Sequence, residues 1–97
     1  PGHTISNILQ TVLTDKNGIL WLGSINDLQW YNPLKQQFYR PVEKTAVEKK
    51  ILQSSITHIS ADSKQNIWIT TRDHYFFRFN AKDSIFEDFS NYNCFIS

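Results

Sequence analysis

The sequence has no methionine and one cysteine, Cys94, in 97 residues. A lone cysteine excludes an internal disulfide and leaves the redox compartment open. No apolar run approaches the roughly 18 to 20 residues that a membrane helix needs, and no basic-plus-apolar leader is present. With no methionine and an opening Pro1-Gly2-His3, the chain is expected to be a piece of something longer, so a missing leader says nothing about location. Charge of one sign is also missing. The net charge is +1, with Lys and Arg scattered among Asp and Glu, which gives no electrostatic reason to expect nucleic acid or an anionic membrane as partner. No Gly-rich phosphate loop, nucleophile elbow or paired catalytic constellation occurs, and no cofactor is expected.

What is present is an ordinary folding composition with 40% hydrophobic, 20% charged and 14% aromatic residues. Its organising feature is Asp15-Lys16-Asn17-Gly18-Ile19-Leu20-Trp21-Leu22-Gly23-Ser24. A degenerate copy returns as Asp62-Ser63-Lys64-Gln65-Asn66-Ile67-Trp68-Ile69-Thr70-Thr71, with Asp-to-Asp and Trp-to-Trp spacings of 47 residues. A period of that size is the mark of propellers and solenoids.

Around each copy the chain reads as short strands. Ile8 to Thr14 is β-branched and apolar, which favours a strand. Asp15-Lys16-Asn17-Gly18 reads as a type I turn whose Gly takes positive φ. Ile19 to Ser24 is apolar on both alternating faces, so cover is expected on both sides. Leu28 to Tyr31 makes a third strand, and Asn32-Pro33-Leu34-Lys35-Gln36 a turn. Phe38 to Val42 makes a fourth strand, with Pro41 suggesting an edge. Four such strands make one antiparallel meander. Between Glu43 and Ser54, apolar residues and Lys50 recur at helical spacing, which predicts an exposed helix or an ordered loop. The second unit repeats the plan, with Tyr75 to Phe79 as third strand and one inserted residue, so that Asn80 and Phe86 fall 48 after Asn32 and Phe38. The fold class is therefore all-β, two four-stranded antiparallel meander blades of a propeller. Residues 1–42 are the first blade, 43–54 the connection, 55–90 the second blade and 91–97 the start of a further unit.

These residues resemble the two-component regulator propeller repeat. Its pattern sets two apolar residues, Asp and a turn Gly at intervals of three, then a Trp strand ending in Gly-Thr. Leu9, Val12, Asp15, Gly18, Trp21, Gly23 and Ser24 follow it closely. The second unit keeps Ile56, Ile59, Asp62 and Trp68 but has Gln65 for the turn Gly and Thr70-Thr71 for Gly-Thr. The Gly-Gly-Leu that often follows is replaced by Asn26-Asp27-Leu28 and His74-Tyr75-Phe76. The resemblance implies an extracytoplasmic, periplasmic sensing region of a Bacteroides-type hybrid sensor histidine kinase, with an oligosaccharide as ligand. The kinase parts would lie elsewhere, because no histidine-box or ATP-lid motif stands in this chain. A fragment of a propeller-scaffold polysaccharide-degrading enzyme and a propeller serving only as an interaction platform are the other readings.

The chemistry-bearing residues mostly read as structure. Asp15 and Asp62 sit where a carboxylate satisfies the amides of a turn, and neither is placed as a calcium ligand. His3, His58 and His74 share no metal-ligand spacing. Trp30, Tyr31, Tyr39, Tyr75 and Tyr92 are expected to line contacts between blades. Ligands of a rigid scaffold meet its loops, so Asn26, Asp27, Arg72, Asp73 and His74 are the candidate ligand-facing edge. Two blades alone leave apolar faces open, so self-association is expected. Trp21 and Trp68 read as packing between neighbouring blades. Truncating either to Ala is predicted to cost about 3–5 kcal/mol, and an unchanged thermal midpoint for Trp21→Ala would refute that placement.

Overall fold

A computed structural model describes residues 9–90; residues expected to open a further unit, 91–97, lie outside that range. The elements are β1 (Leu9–Thr14), β2 (Leu20–Ser24), β3 (Asp27–Asn32), β4 (Gln37–Tyr39), α1 (Ala46–Leu52), β5 (Ile56–Ala61), β6 (Ile67–Thr71), β7 (Phe76–Asn80) and β8 (Ile85–Asp88). They form two four-stranded antiparallel meanders in the orders β1-β2-β3-β4 and β5-β6-β7-β8. The chain is all-β apart from α1.

The two sheets are built by the same local devices. Gly18 has φ 83° and Gln65, its counterpart, φ 66°. In each hairpin the Asp N–H and the residue at positive φ close the turn, through Asp15 N to Ile19 O and Gly18 N to Asp15 O, and through Asp62 N to Asn66 O and Gln65 N to Asp62 O. The β3–β4 and β7–β8 turns also match. Asn32 Oδ1 accepts from the amides of Leu34 and Lys35, and Asn80 Oδ1 from those of Lys82 and Asp83. Each ends in a residue at positive φ, Gln36 and Ser84. Even the ladder irregularity repeats, between Leu9 and Thr11 and between Ile56 and His58. A bulge conserved between the two units bends both first strands alike.

The pleat then decides what is buried. One face of the first sheet carries Leu13, Trp21, Gly23, Leu28, Trp30 and Tyr39 in register. The facing side of the second carries Ile59, Ile67, Ile69, Phe77, Phe79 and Phe86. Between them lies the core, in which Trp21 is 4% exposed and Leu28, Ile56, Ile69 and Phe77 are fully buried. Trp21 meets Phe79 at 5.4 Å between ring centroids, and Trp30 meets both Phe79 and Phe86 at 6.2 Å. At Gly23 the sheets come close: a Cβ there would stand 2.5 Å from Ile56 Cγ2.

The connection is a helix, and it is not exposed as expected. Thr45 caps it, accepting from Val47 N while Glu48 reaches back to Thr45 N, a complete capping box. Ile51 is fully buried in the core and Glu48 is buried as well. The face that looked merely spaced for a helix is the one that packs on β3 and β8. Lys50 donates to Asp88 at 3.0 Å, tying the helix to the last strand. Val42 stands before the cap and is largely exposed.

Three further expectations change. The fourth strand ends at Tyr39, because Arg40 and Pro41 leave the ladder. Tyr75 precedes β7, inside the hairpin loop. Leu20 and Leu22 are half-buried, so β2 is covered on its Trp21 side and not fully on the other. Trp68 is likewise half-buried, since its face of the second sheet points away from the first. Its truncation is therefore expected to cost less than that of Trp21. Gly23→Ala is predicted to destabilise by about 1–3 kcal/mol, because the added methyl must push Ile56 and the second sheet away. Urea unfolding followed by tryptophan fluorescence measures it.

Candidate functional site

The repeated Asp and Trp are chemically joined. Asp15 Oδ1 accepts from Asn17 N at 2.8 Å and Ile19 N at 3.0 Å, and Oδ2 accepts from the Trp21 indole at 3.0 Å. Asp62 repeats this with Lys64 N, Asn66 N and the Trp68 indole at 2.9, 3.0 and 2.9 Å. Each carboxylate is fully engaged by its own hairpin. The Trp68 indole and the turn amides hold Asp62 down at about 2, against the pull of burial in the other direction. A carboxylate so satisfied is an acceptor in a scaffold and unsuited to proton transfer near neutral pH.

The candidate ligand-facing loops lie together at one end of the two sheets. Asn26, exposed at φ 59°, donates its amide to Ser54 O at 3.0 Å, and Arg72 donates to Ser55 O at 2.9 Å. The Ser54–Ser55 segment thus runs between the β2–β3 and β6–β7 loops. Arg72, Asp73 and His74 are exposed there. His74 has φ 70° and its amide closes the loop onto Thr71 O. The one-residue insertion seen in the sequence is this longer loop.

Asp27 is not part of that exposed edge. It is the first residue of β3, 9% exposed, and accepts from Leu28 N, Gln29 Nε2 and the Arg40 guanidinium, the last at 2.9 Å. The residues after a short hairpin looked like loop because Asp disfavours strands. The ion pair with Arg40 overrides that preference. Gln29 Oε1, beside it, is buried without a donor.

At the opposite end, the sheets splay along their outer strands into a cleft that sequence reasoning missed. One lobe, of ≈ 370 Å³, has an aromatic floor of Trp21, Trp30 and Tyr39 and a rim of Asn17, Lys35 and Gln65. A second lobe, of ≈ 400 Å³, shares Trp30, Tyr39 and Phe79 and continues toward Lys44 and Glu48. Both fall in the size range of small-molecule sites. Its carboxylates are spoken for: Asp15 by its turn and Trp21, Glu48 by Thr45. Burial works to raise Glu48, but the Thr45 hydroxyl and backbone amides outweigh it and hold the group below the usual carboxylate range. Cations, amides and aromatic rings together line the cleft, a composition suited to polyhydroxylated or weakly acidic ring compounds. The signal in the sequence was the pairing of Trp30 with Tyr39 on neighbouring strands, legible only once register is known.

Among the described residues, no group of three or more His, Cys, Asp and Glu could hold a metal ion, and no helix is long and apolar enough to cross a membrane. His58 is exposed on β5. Neither protein-family models nor curated proteins give a match to this sequence.

The Asp62–Trp68 bond has a pH signature. A carboxylate depressed from 3.8 to about 2 adds stability that is complete above its unfolded pKa and is lost as pH falls through about 2. Trp68→Phe removes the indole donor, so the Asp62 midpoint should rise toward 3.8. Carboxyl-detected NMR titration measures both, and an unmoved midpoint would deny the indole its role.

Proposed function

We propose that the chain supplies two blades of an extracytoplasmic β-propeller, the ligand-sensing part of a hybrid two-component sensor kinase, and carries no catalysis of its own. The observation that supports this is the recurrence of one Asp–turn–Trp device, bond for bond, in two stacked meanders. It is the sequence feature by which the chain resembles two-component regulator propeller repeats. In this reading the blades face the periplasm, where the ligand is an oligosaccharide and signalling is completed by kinase parts outside this chain.

The ligand contact on these two blades is the aromatic-floored cleft, with the Arg72–His74 loop as the other edge of the same blades. Sugar rings place their apolar faces on aromatic rings, while amides and cations take their hydroxyl and carboxylate groups. An interaction platform is the second reading, favoured by the exposed apolar residues Val12, Phe38 and Ile85.

Calorimetric titration of the 97-residue chain with neutral and uronate-containing oligosaccharides tests the proposal. Binding is expected, weakened at least tenfold by Tyr39→Ala and less by Arg72→Ala. The reverse order would move the contact to the loop edge and overturn the cleft. Silence across the whole panel would overturn the sensing reading.

A further inference from the structure

One cross-strand position is filled in two ways. Trp30 pairs with Tyr39 in the first sheet, and their counterparts in the second, Arg78 and Glu87, pair in the same register. Arg78 and Glu87 form an ion pair at 2.6 Å, so each satisfies the other. Trp30 and Tyr39 stack instead, with ring centroids 6.2 Å apart and planes 18° from parallel. Both line both lobes of the cleft. The cleft takes its walls from the two sheets, from their turns and from the Pro41–Glu48 segment that joins them. It is a feature between the units, not the outer face of either.

The polar edge of that stack is open. Trp21 and Trp68 each give their indole N–H to an aspartate of their own hairpin. Among the described residues, neither the Trp30 indole nor the Tyr39 hydroxyl has such a partner. Half-buried aromatic residues with a polar tip ordinarily find one. Here the tips stand at the wall of a cavity of ≈ 370 Å³.

Most acceptors lining this lobe are already used. Asp15 commits one oxygen to two turn amides and the other to the Trp21 indole. Asn32 Oδ1 takes the amides of Leu34 and Lys35, and Gln65 Oε1 takes that of Lys16. Asn17 keeps both halves of its side-chain amide, and Tyr39 can give or accept. The other groups left over only donate: the Asn32 side-chain NH2, the Trp30 N–H and the Lys35 ammonium. Lys35 is exposed and in no ion pair among the described residues. The second lobe differs, because Lys44 shares it with Glu48 and its charge helps to keep that carboxylate ionised. A lobe rich in donors and floored by rings suits a ligand rich in acceptors.

We propose that the Trp30–Lys35 lobe is an acid-selective subsite. A ring lies on the Trp30–Tyr39 stack, and the carboxylate that it carries is taken by Lys35, with the Asn32 amide and the Trp30 N–H as further donors. The chemistry recognised is a carboxylate on a ring with an apolar face. A uronate sugar supplies it under the sensing reading, and an aromatic acid has the same chemistry from another source. The subsite rests on that reading for its sugar, though not for its carboxylate. Lys35 is then the residue that sets specificity, since hydrogen bonds from a charged donor to a carboxylate are the strong ones.

Calorimetric titration of the 97-residue chain with three probes tests this: a galacturonate disaccharide, the neutral galactose disaccharide of the same linkage, and benzoate. The uronate should bind about tenfold more tightly than the neutral sugar, and the gap should narrow as salt is raised. Lys35→Gln, at an exposed position, should bring the uronate down to the level of the neutral sugar, with circular dichroism confirming folded sheets. Lys44→Gln should leave the gap open. If Lys44→Gln closes it instead, the carboxylate sits in the second lobe and the assignment is overturned. Equal binding of the two sugars refutes the acid subsite and leaves sensing standing. Benzoate bound through Lys35, with neither sugar bound, upholds the subsite and refutes the oligosaccharide. Silence to all three probes overturns both.

Discussion

One carboxylate holding both a turn and an indole is the constraint from which the rest of the structure follows. A hairpin needs its tight turn fixed before its strands can find register. Asp15 and Asp62 fix it by accepting two backbone amides each. The remaining oxygen takes the indole N–H six residues on. That bond settles the indole's polar edge inside its own hairpin, so the ring can be buried without an orphan donor. Sheet geometry and core composition thus come from a single side chain. The bonds that make the carboxylates structural occupy both oxygens of each.

Identical devices do not give identical environments. Trp21 is in the core, whereas Trp68 is half-buried under Arg78 and Phe89. The cause is position in the stack. The Trp21 face of the first sheet packs on the second, while the Trp68 face of the second is turned away from the first. Stability in stacked repeats is a sum of unit terms and neighbour terms. The helix supplies a second neighbour term here, since Ile51 enters the core and Lys50 reaches Asp88.

The two meanders were legible in the sequence because their signals are local. An Asp at the start of a turn, a Trp at fixed distance and an Asn before a four-residue loop each act through bonds within a few residues. Repetition at a spacing of 47 made them readable against noise. Less legible was anything that depends on which sheet lies beside which. Asp27 looked like a loop residue because its partner Arg40 lies 13 residues on and meets it only through the β3–β4 pairing. The helix looked exposed because Glu and Lys surround Val47 and Ile51, the residues that pack against the core. The cleft was invisible for the same reason, since its floor joins Trp30 and Tyr39 of one sheet to Phe79 of the other.

The departures of the second unit from the first are themselves ordered. Gln65 replaces a glycine at positive φ, where a side chain is disfavoured by about 1–2 kcal/mol. Its Oε1 accepts from Lys16 N, in the turn of the other sheet, at 3.2 Å. The bond couples the two hairpins, which a glycine could not do. Thr70 and Arg78 stand where Gly23 and Trp30 do, on the face of the second sheet turned away from the first. The Asp carboxylate and the indole it holds are kept in both units, while the turn residue between them changes.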